Sequence, residues 1–200
     1  MDKVYLYGAG GHGKVIKEII EACGGKVGAF VDDNPSRNEW AGLPVDHDVE
    51  GKENMIVSIG SNKVRRMIAG KLDCRFAVAI HPSAIVSPSA TIGEGTVVMP
   101  GAIVNADAVI GRHCIVNTGA SVGHDCHIGD FCHVAPHATL CGTVYLGEGV
   151  WIGAGAVVIQ NLTIGEWSVV GAGSAVIDNV SEQEKVMGVP AAAICHSFKE

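Results

Sequence analysis

The chain has 200 residues, of which 48% are hydrophobic, and it carries a formal net charge of −7. This length suffices for one or two domains with a substantial core, and the negative charge argues against a nucleic-acid partner. No apolar run approaches the roughly eighteen residues of a membrane span, and glycine interrupts the first residues too early for a signal peptide. We therefore expect a cytoplasmic protein whose seven cysteines remain thiols.

Residues 1–78 alternate apolar runs with amphipathic stretches. The run at residues 4–7 predicts a strand, and a helical pattern follows it and stops at Gly24 and Gly25. The segments VGAFVDD and MIVSIG predict two more strands, and residues 64–72 predict a second helix. This alternation is typical of a small parallel α/β domain.

The first predicted strand leads into YGAGGHGK, which has glycines at the spacing G-x-G-x-x-G and opens the first helix. Glycine lets the backbone approach a ligand, and a helix N-terminus offers unpaired N–H groups to phosphate. Roughly 75 residues are too few for both halves of a dinucleotide fold, so a smaller nucleotide is expected. A tight turn without a ligand is the alternative for the glycine loop, and solvated helix charge is the alternative for Arg65 and Arg66. The candidate nucleotide-binding residues are Gly8, Gly10, Gly11, His12, Gly13, Asp32, Asp33, Gly60, Asn62 and Arg65.

From Ala79 the chain divides without insertion into seventeen six-residue units, and the second position of every unit is Ile, Val or Leu. Small or turn-forming residues predominate at the fourth to sixth positions. This period predicts a strand, a corner and another strand around a shared interior, which is a parallel β-helix with three units in each coil. Glycines such as Gly95 and Gly173 are expected at corners, and the sixth-position cysteines Cys114, Cys126 and Cys132 are expected as small packed residues.

Charge is uneven between the two parts of the chain. Residues 1–78 contain eleven acidic and eleven basic side chains, whereas residues 79–200 contain ten acidic and three basic ones, Arg112, Lys185 and Lys199. An anionic ligand held by the second part would therefore rely mainly on backbone N–H groups.

The stretch GHDCHIGDFCHVAPH, residues 123–137, suggests either a metal site or a catalytic cluster. Its cysteines occupy sixth positions and are expected to pack at corners, whereas His127 and His133 occupy first positions and face outward. Cysteines and histidines that point in different directions do not form a tetrahedral zinc site, so no metal is expected. His113, His127 and His137 are expected to be exposed residues of a wall or corner.

His124 occupies a fourth position, with Asp125 beside it. The carboxylate can accept the Nδ1–H of His124, which selects one tautomer and raises the basicity of Nε2, as a general base requires. His133 lies half a coil away, on a different side of the triangular section. The two histidines can approach each other only across a subunit interface.

Over essentially its whole length the chain resembles the bacterial hexapeptide-repeat acyltransferases that acetylate nucleotide-linked amino sugars or sialic acid. The resemblance rests on YGAGGHGK, FVDD, IGSN followed by Arg65, IHPSAIVSPSA, NTGASVGHDCHIGDFCHVAP and MGVPA. It implies a small Rossmann-like domain (1–78), a left-handed β-helix acyltransferase domain (79–180) and a C-terminal tail (181–200) that contributes to the acetyl-CoA site. It also implies acetyl-CoA as co-substrate and a homotrimer with active sites between subunits.

The resemblance assigns roles to individual residues. The residue that acts as catalytic base in the family matches His124, and the acid that supports it matches Asp125. The candidate nucleotide-binding residues named above match the family's binding site for the sugar nucleotide. The residue that donates its N–H to the acetyl oxygen matches Gly142. The residues implied at the acetyl-CoA site are His133, Gly142, Ala154, Ala172, Gly188 and Pro190.

Several alternatives remain open from the sequence. We prefer the 4-amino group of a UDP-linked sugar as acceptor, and a hydroxyl of sialic acid or another surface sugar is the rival. A nucleotide-sugar-binding β-helix without catalysis and a carbonic-anhydrase-like metal helix are rivals of other classes. Cys126, Cys132 and Cys141 are candidate nucleophiles, but the first two are expected to be packed and no base adjoins the third.

The C-terminal motif departs from the family in one respect. The motif often continues GVPA-Lys, whereas here Ala192 follows Ala191. Because this removes a cation that the phosphates of coenzyme A would otherwise meet, we expect a modest affinity for acetyl-CoA.

Overall fold

A computed structural model describes residues 3–194 and contains an α/β domain followed by a β-helix. The α/β domain has one six-stranded sheet in the order β3-β4-β2-β1-β5-β6, parallel except for the β3–β4 pair. Its elements are β1 (Lys3–Tyr7), α1 (Gly11–Ala22), β2 (Lys26–Val31), β3 (Glu39–Trp40), β4 (Leu43–Asp46), β5 (Asn54–Val57), α2 (Asn62–Ala69) and β6 (Arg75–Phe76).

The β-helix begins at Ala79 and has a strand at the first two positions of each six-residue unit. Its strands are β7 (Ala79–Ile80), β8 (Ile85–Val86), β9 (Thr91–Ile92), β10 (Val97–Val98), β11 (Ile103–Val104), β12 (Val109–Ile110), β13 (Ile115–Val116), β14 (Ser121–Val122), β15 (His127–Ile128), β16 (His133–Val134), β17 (Thr139–Leu140), β18 (Tyr145–Leu146), β19 (Trp151–Ile152), β20 (Val157–Val158), β21 (Thr163–Ile164), β22 (Val169–Val170) and β23 (Ala175–Val176). Two further strands, β24 (Lys185–Met187) and β25 (Ala192–Ala193), follow it.

Three parallel sheets form the sides of the left-handed β-helix, because each strand from β7 to β20 pairs with the strand eighteen residues later. We call the sheet of β7, β10, β13, β16, β19 and β22 face 1, that of β8 to β23 face 2, and that of β9 to β21 face 3. Strand β24 continues face 1 by pairing with β22. In the described part of the chain, no helix is long and apolar enough to cross a membrane.

The interior is filled by the aliphatic second positions and the small sixth positions, as the sequence predicts. Cys114, Cys126 and Cys132 are buried among them. The corners depend on the fifth position, where every residue from Gly95 to Gly173 has φ between 53° and 71°. Glycine adopts this left-handed conformation without strain, but Asp, His, Phe, Thr, Asn and Trp occupy it as well.

The α/β domain packs against the outer side of face 1. Ala79, Val97 and Ile115 are first-position residues of this face, and they join the buried cluster that contains Ile16 and Ile19 of α1. First positions therefore face outward from the β-helix, as predicted, but on face 1 the other domain covers several of them.

Arg65 of α2 lies at the centre of this domain joint and is 1% exposed. Its Nε donates to His113 O at 2.7 Å, and its Nη2 donates to Phe131 O at 2.9 Å, both in the β-helix. Nη1 donates to Ile59 O and Gly60 O at 2.9 and 3.0 Å. One guanidinium thereby holds carbonyl groups of both domains.

The joint corrects two predictions of nucleotide contacts. Arg65 has its donors on carbonyl groups and on Asn62 Oδ1, at 2.8 Å. Asn62 is also buried, and its Nδ2 donates to Gly149 O at 3.1 Å. Both side chains are buried and join the two domains. Arg65 is therefore not a solvated helix charge.

His113 is buried as well, in contrast to the exposed position expected from the repeat. Its ring stacks on Phe131 with 5.1 Å between ring centroids and meets the edge of Phe76 at 4.4 Å. The repeat pattern describes the β-helix alone, whereas the α/β domain covers this corner. Burial, followed by the charge of Arg65, lowers the pKa of His113 to about 4.

We expect Arg65→Leu to lower the free energy of unfolding by about 3 kcal/mol or more, because it leaves several buried carbonyl groups without a donor. Arg65→Lys should recover little, since an ammonium cannot replace the planar set of guanidinium donors. Urea denaturation at one protein concentration measures the free energy of unfolding of each variant. The matched variant Arg75→Leu removes a side chain that is 77% exposed and should cost less than about 0.5 kcal/mol. Similar losses in the two variants would contradict the assignment.

The pKa of His113 makes stability depend on pH. The unfolded chain binds a proton near pH 6.5 and the folded chain only near pH 4, so the free energy of unfolding falls as the pH decreases through this interval. His113→Phe keeps an aromatic ring at this position but cannot be protonated. It therefore removes the pH-dependent loss of unfolding free energy due to His113, which is on the order of 2 kcal/mol at pH 5. Thermal denaturation at pH 7.5 and pH 5 should show a smaller loss for the variant than for the wild type. His137→Phe, at an exposed corner, should behave like the wild type.

Candidate active site

His124 and Asp125 lie at the corner between faces 2 and 3, and both side chains are more than half exposed. His124 Nδ1 is 2.6 Å from Asp125 Oδ2. Asp125 occupies a fifth position with φ 57°, a conformation that Asp tolerates better than most residues. With Nδ1–H donated to the carboxylate, Nε2 of His124 carries the free lone pair.

The imidazole of His124 lies against Gly142, one coil further along the chain. A Cβ on Gly142 would be 2.5 Å from His124 Nε2, so only glycine leaves room for this ring. Gly142 O accepts from Asn161 N at 3.1 Å, whereas the Gly142 N–H has no acceptor among residues 3–194. A basic nitrogen and a free backbone donor therefore adjoin each other at this corner.

His133 begins β16 on face 1 and is 9% exposed. Asn117 Nδ2 lies 3.0 Å from its Nε2, and its ring stacks on Trp151 with 5.6 Å between centroids. Burial, then the charges of Arg65 and His12, lowers the pKa of His133 to about 3. The ring is therefore neutral at physiological pH, with Nε2 accepting from Asn117 and the proton on Nδ1.

A largely apolar groove of about 400 Å³ runs along face 1 to the corner between faces 1 and 2. It is bordered by His133 and Trp151 and also lined by Ala154, Ala172 and Lys185. In the described part of the chain the N–H groups of Ala154 and Ala172 have no acceptor. They give the groove a row of donors spaced one coil apart.

Gly188 and Pro190 lie in the segment after β24, whose Lys185 lines the groove. Gly188 O accepts from Ala175 N at 3.0 Å, and Gly188 N donates to Ser174 Oγ at 3.2 Å. The implied acetyl-CoA residues thus fall into two sets. Gly142 is beside His124 at one corner, and the others lie along face 1 and the corner between faces 1 and 2. Within one chain these sets stay apart.

The glycine loop divides into packing and open positions. Gly8 has φ 114°, and a Cβ there would be 2.8 Å from Ile59 Cγ1; at Gly13 a Cβ would be 2.6 Å from Gly8 O. Gly8 permits the close approach of the segment after β5, and Gly13 permits the close packing of α1 on the sheet. A Cβ atom on Gly10, Gly11 or Gly60 would have no neighbouring atom within 4 Å.

The carboxylates after β2 take different partners. Asp32 accepts from Ala9 N at 2.8 Å and from Asn34 N at 3.0 Å, so it holds the glycine loop in place. Asp33 accepts from the hydroxyl of Tyr7 at 2.6 Å, and burial together with Asp33 raises the pKa of Tyr7 to about 12. Asp33 is the more exposed of the two carboxylates.

His12 points into the joint near His133, and its Nε2 is buried without a hydrogen-bond partner in the described residues. Burial, followed by the charge of Arg65, lowers the pKa of His12 to about 4. Among residues 3–194 no three side chains of His, Cys, Asp and Glu converge as metal ligands.

Two aromatic residues beside these sites were not identified from the sequence. Trp40 donates from Nε1 to Gly10 O at 3.0 Å, and Lys14 Nζ lies 4.3 Å from its ring centroid. Trp151 stacks on His133 because it is the first-position residue one coil later. The eighteen-residue spacing would have identified Trp151, whereas the loop that carries Trp40 has no period.

Two family profiles match the chain: the PglD N-terminal domain at residues 3–72, and the bacterial transferase hexapeptide (six repeats) at residues 107–142 and 143–178. UDP-N-acetylbacillosamine N-acetyltransferase of Bacillus subtilis (strain 168) is 45% identical over 112 residues, which are 50% of this chain and 52% of that protein. The match thus spans about half the length of this curated relative.

Solved structures match almost the whole chain. A histidine-to-asparagine variant of perosamine N-acetyltransferase from Caulobacter crescentus, in complex with CoA and GDP-perosamine, is 40% identical, with a TM-score of 0.93 and 97% of each chain covered. The acetyltransferase domain of PglB from Neisseria gonorrhoeae FA1090, in complex with acetyl coenzyme A, is 38% identical, with a TM-score of 0.88, and covers 96% of this chain and 98% of that one. The chain therefore belongs to the family of hexapeptide-repeat sugar acetyltransferases that carry a PglD-type N-terminal domain.

Proposed function

We propose that the protein transfers the acetyl group of acetyl-CoA to the 4-amino group of a UDP-linked amino sugar, with His124 as the general base. The observation that carries this proposal is the His124–Asp125 pair beside the unpaired N–H of Gly142. Two relatives support the reaction class: one is named for N-acetylation of a UDP-linked sugar, and the other binds CoA and GDP-perosamine.

The geometry supports direct transfer without a covalent enzyme intermediate. His124 Nε2 accepts a proton from the amine as its nitrogen attacks the thioester carbonyl, and Asp125 stabilises the imidazolium that forms. The Gly142 N–H donates to the oxyanion of the tetrahedral intermediate. The C–S bond then breaks, and the thiolate leaves and takes up the proton. Of the three candidate nucleophiles, Cys126 and Cys132 are buried, and burial raises the pKa of both thiols.

We further propose that the site is completed by a neighbouring subunit in a homotrimer. In one chain the base lies at the corner between faces 2 and 3, while the groove lies on face 1 and the corner between faces 1 and 2. Apolar side chains remain exposed on the two faces that the α/β domain leaves uncovered, including Ile85 at 66% and Tyr145 at 52%. Association through these faces would bring the base of one subunit to the groove of the next.

We expect His124→Ala to lower the rate of thiol release from acetyl-CoA by about 10²- to 10⁴-fold, which is the usual contribution of a general base. The assay contains a UDP-4-amino sugar, with GDP-perosamine, CMP-sialic acid and free sialic acid as further acceptors. The matched variant Cys141→Ser should keep most of the activity. A loss of several hundred-fold in Cys141→Ser would contradict direct transfer.

The acceptor panel separates the remaining alternatives. Release only with sialic acid would retain His124 as the base and replace N-acetylation by O-acetylation. Thiol release only with GDP-perosamine would indicate that the acceptor sugar is linked to GDP rather than to UDP. No release with any acceptor, and no difference between His124→Ala and the wild type, would favour a protein that only binds nucleotide sugars.

Gly142→Ala tests the contact between the base and the backbone donor. Because its Cβ would lie 2.5 Å from His124 Nε2, we expect the imidazole to be displaced and kcat to fall by about 10²-fold or more. The control is Gly70→Ala, where the nearest atom is 3.4 Å from the new Cβ, and its activity should equal that of the wild type. Equal activity in both variants would show that His124 does not act from this position.

A further inference from the structure

The hairpin of β3 and β4 places a tryptophan beside the glycine loop. Trp40 ends β3 and pairs with Leu43 of β4, and the two residues between them, Ala41 and Gly42, have φ of 49° and 76°. A positive φ at both central positions is typical of a type I′ turn, which joins two adjacent antiparallel strands. Strand β4 pairs in turn with β2, and Trp40 packs against the core cluster of the α/β domain. The sheet therefore determines where the indole lies.

Trp40 and Arg37 hold two successive carbonyl groups of the glycine loop. Trp40 Nε1 donates to Gly10 O at 3.0 Å, and Arg37 Nη1 donates to Ala9 O. The same Nη1 lies 3.5 Å from Asp32 Oδ2, and the Arg37 Cζ lies 4.8 Å from the centroid of the Trp40 ring. The cation–π contact and the ion pair keep the guanidinium beside both the loop and Trp40.

The glycine loop itself offers little that would fix its backbone at this point. A Cβ on Gly10 or Gly11 would have no neighbouring atom within 4 Å, so packing does not restrict either residue. Glycine also has the widest range of backbone conformations. Gly10 O accepts one further hydrogen bond, from Lys14 N at 3.3 Å. The contacts from Trp40 and Arg37 are therefore a principal restraint on this part of the loop.

Each carbonyl group that is held in this way sets the direction of an N–H group. A trans peptide is planar, and its N–H points away from its C=O. The Gly10 carbonyl shares a peptide with the Gly11 N–H, and the Ala9 carbonyl shares one with the Gly10 N–H. Neither N–H has an acceptor in the described part of the chain. Trp40 and Arg37 thereby leave two oriented, unpaired donors at the start of α1, where phosphate oxygens are favoured.

We propose that Trp40 and Arg37 are positioning residues for the acceptor, which orient the N–H groups of Gly10 and Gly11 toward the diphosphate of the sugar nucleotide. Donors that are fixed before binding make their hydrogen bonds without the entropic cost of ordering two glycines. The inference rests on the proposed function, because that function supplies a ligand with a diphosphate. Neither side chain acts on the reacting atoms, so the expected effect is on binding of the acceptor and not on the transfer step.

The test uses Trp40→Phe, which keeps an aromatic ring, changes no charge and removes the donor to Gly10 O. We expect the Kd for UDP in calorimetry to rise by roughly fivefold to tenfold, as the loss of about one hydrogen bond implies. GDP replaces UDP if only GDP binds to the wild type. In the assay of thiol release, the KM for the sugar nucleotide should rise by a similar factor, whereas kcat and the KM for acetyl-CoA should not change.

Arg37→Lys tests the contact with the second carbonyl group. Lysine retains the positive charge but cannot contact Ala9 O, Asp32 and the indole with one planar group, so we expect a similar loss of UDP affinity. Because the charge is retained, such a loss would not come from weaker attraction of the phosphate groups.

Matched controls are Tyr5→Phe and Arg75→Lys, which should leave all constants unchanged. Tyr5→Phe also removes one polar hydrogen from an aromatic residue of the α/β domain, and Lys3 Nζ and Lys52 Nζ lie 5.3 and 5.8 Å from the centroid of its ring. Arg75 pairs with Glu53 and is 77% exposed.

Thermal denaturation without nucleotide verifies the folding of each variant. Added UDP should raise the midpoint less in Trp40→Phe and Arg37→Lys than in the wild type. Unchanged UDP affinity in both variants would overturn the inference, as would a fall in kcat without a change in the KM for the sugar nucleotide. If neither UDP nor GDP binds to the wild type, the inference is overturned as well.

The two proposals fail separately. Nucleotide binding that depends on Trp40 and Arg37, without transfer to any sugar, would reject the proposed function only. Normal transfer with an unaltered KM for the sugar nucleotide in both variants would reject this inference only.

Discussion

The return of the chain to the same position after eighteen residues is the constraint on which the other features depend. It stacks each side chain on the one that lies one coil earlier, so that His124 meets Gly142, His133 meets Trp151, and Trp167 meets Gly149. The left-handed fifth position makes each corner possible, because it turns the backbone through the corner between two short strands. Asp125 occupies such a position, so the same geometry that closes a coil places a carboxylate beside the imidazole of His124.

The α/β domain makes face 1 different from faces 2 and 3 of the β-helix. It covers several first positions of face 1, and the buried guanidinium of Arg65 donates to backbone carbonyl groups of both domains. His12, His113 and His133 lie within the electrostatic reach of Arg65, and burial together with its charge lowers the pKa of all three. These histidines are therefore neutral, whereas His124 is exposed at an uncovered corner. One protein thus contains buried, neutral histidines near Arg65 and an exposed histidine that is paired with a carboxylate.

Much of the site could be predicted because the repeat assigns a direction to every side chain. The outward direction of His133, the packing of Cys126 and Cys132, and the separation of His124 from His133 all follow from positions within a six-residue unit. The wrong predictions concern residues whose surroundings come from the other domain. Arg65 and Asn62 were expected at a ligand because they follow a strand beside the glycine loop, yet they bind carbonyl groups of the β-helix. His113 was expected to be exposed because its own repeat does not cover it.

The sequence by itself determined the period, the aliphatic interior, the corner positions and the adjacency of His124 to Asp125, since all of these are local or repeat every six residues. Only the tertiary structure decided which face is covered, where the charge of Arg65 is buried, and that Arg66 of one domain lines the same cavity as Lys185, after the last coils of the other. The physical reason is that domain packing depends on the complementarity of two whole surfaces. That complementarity joins residues far apart in the chain and leaves no periodic signal in either segment.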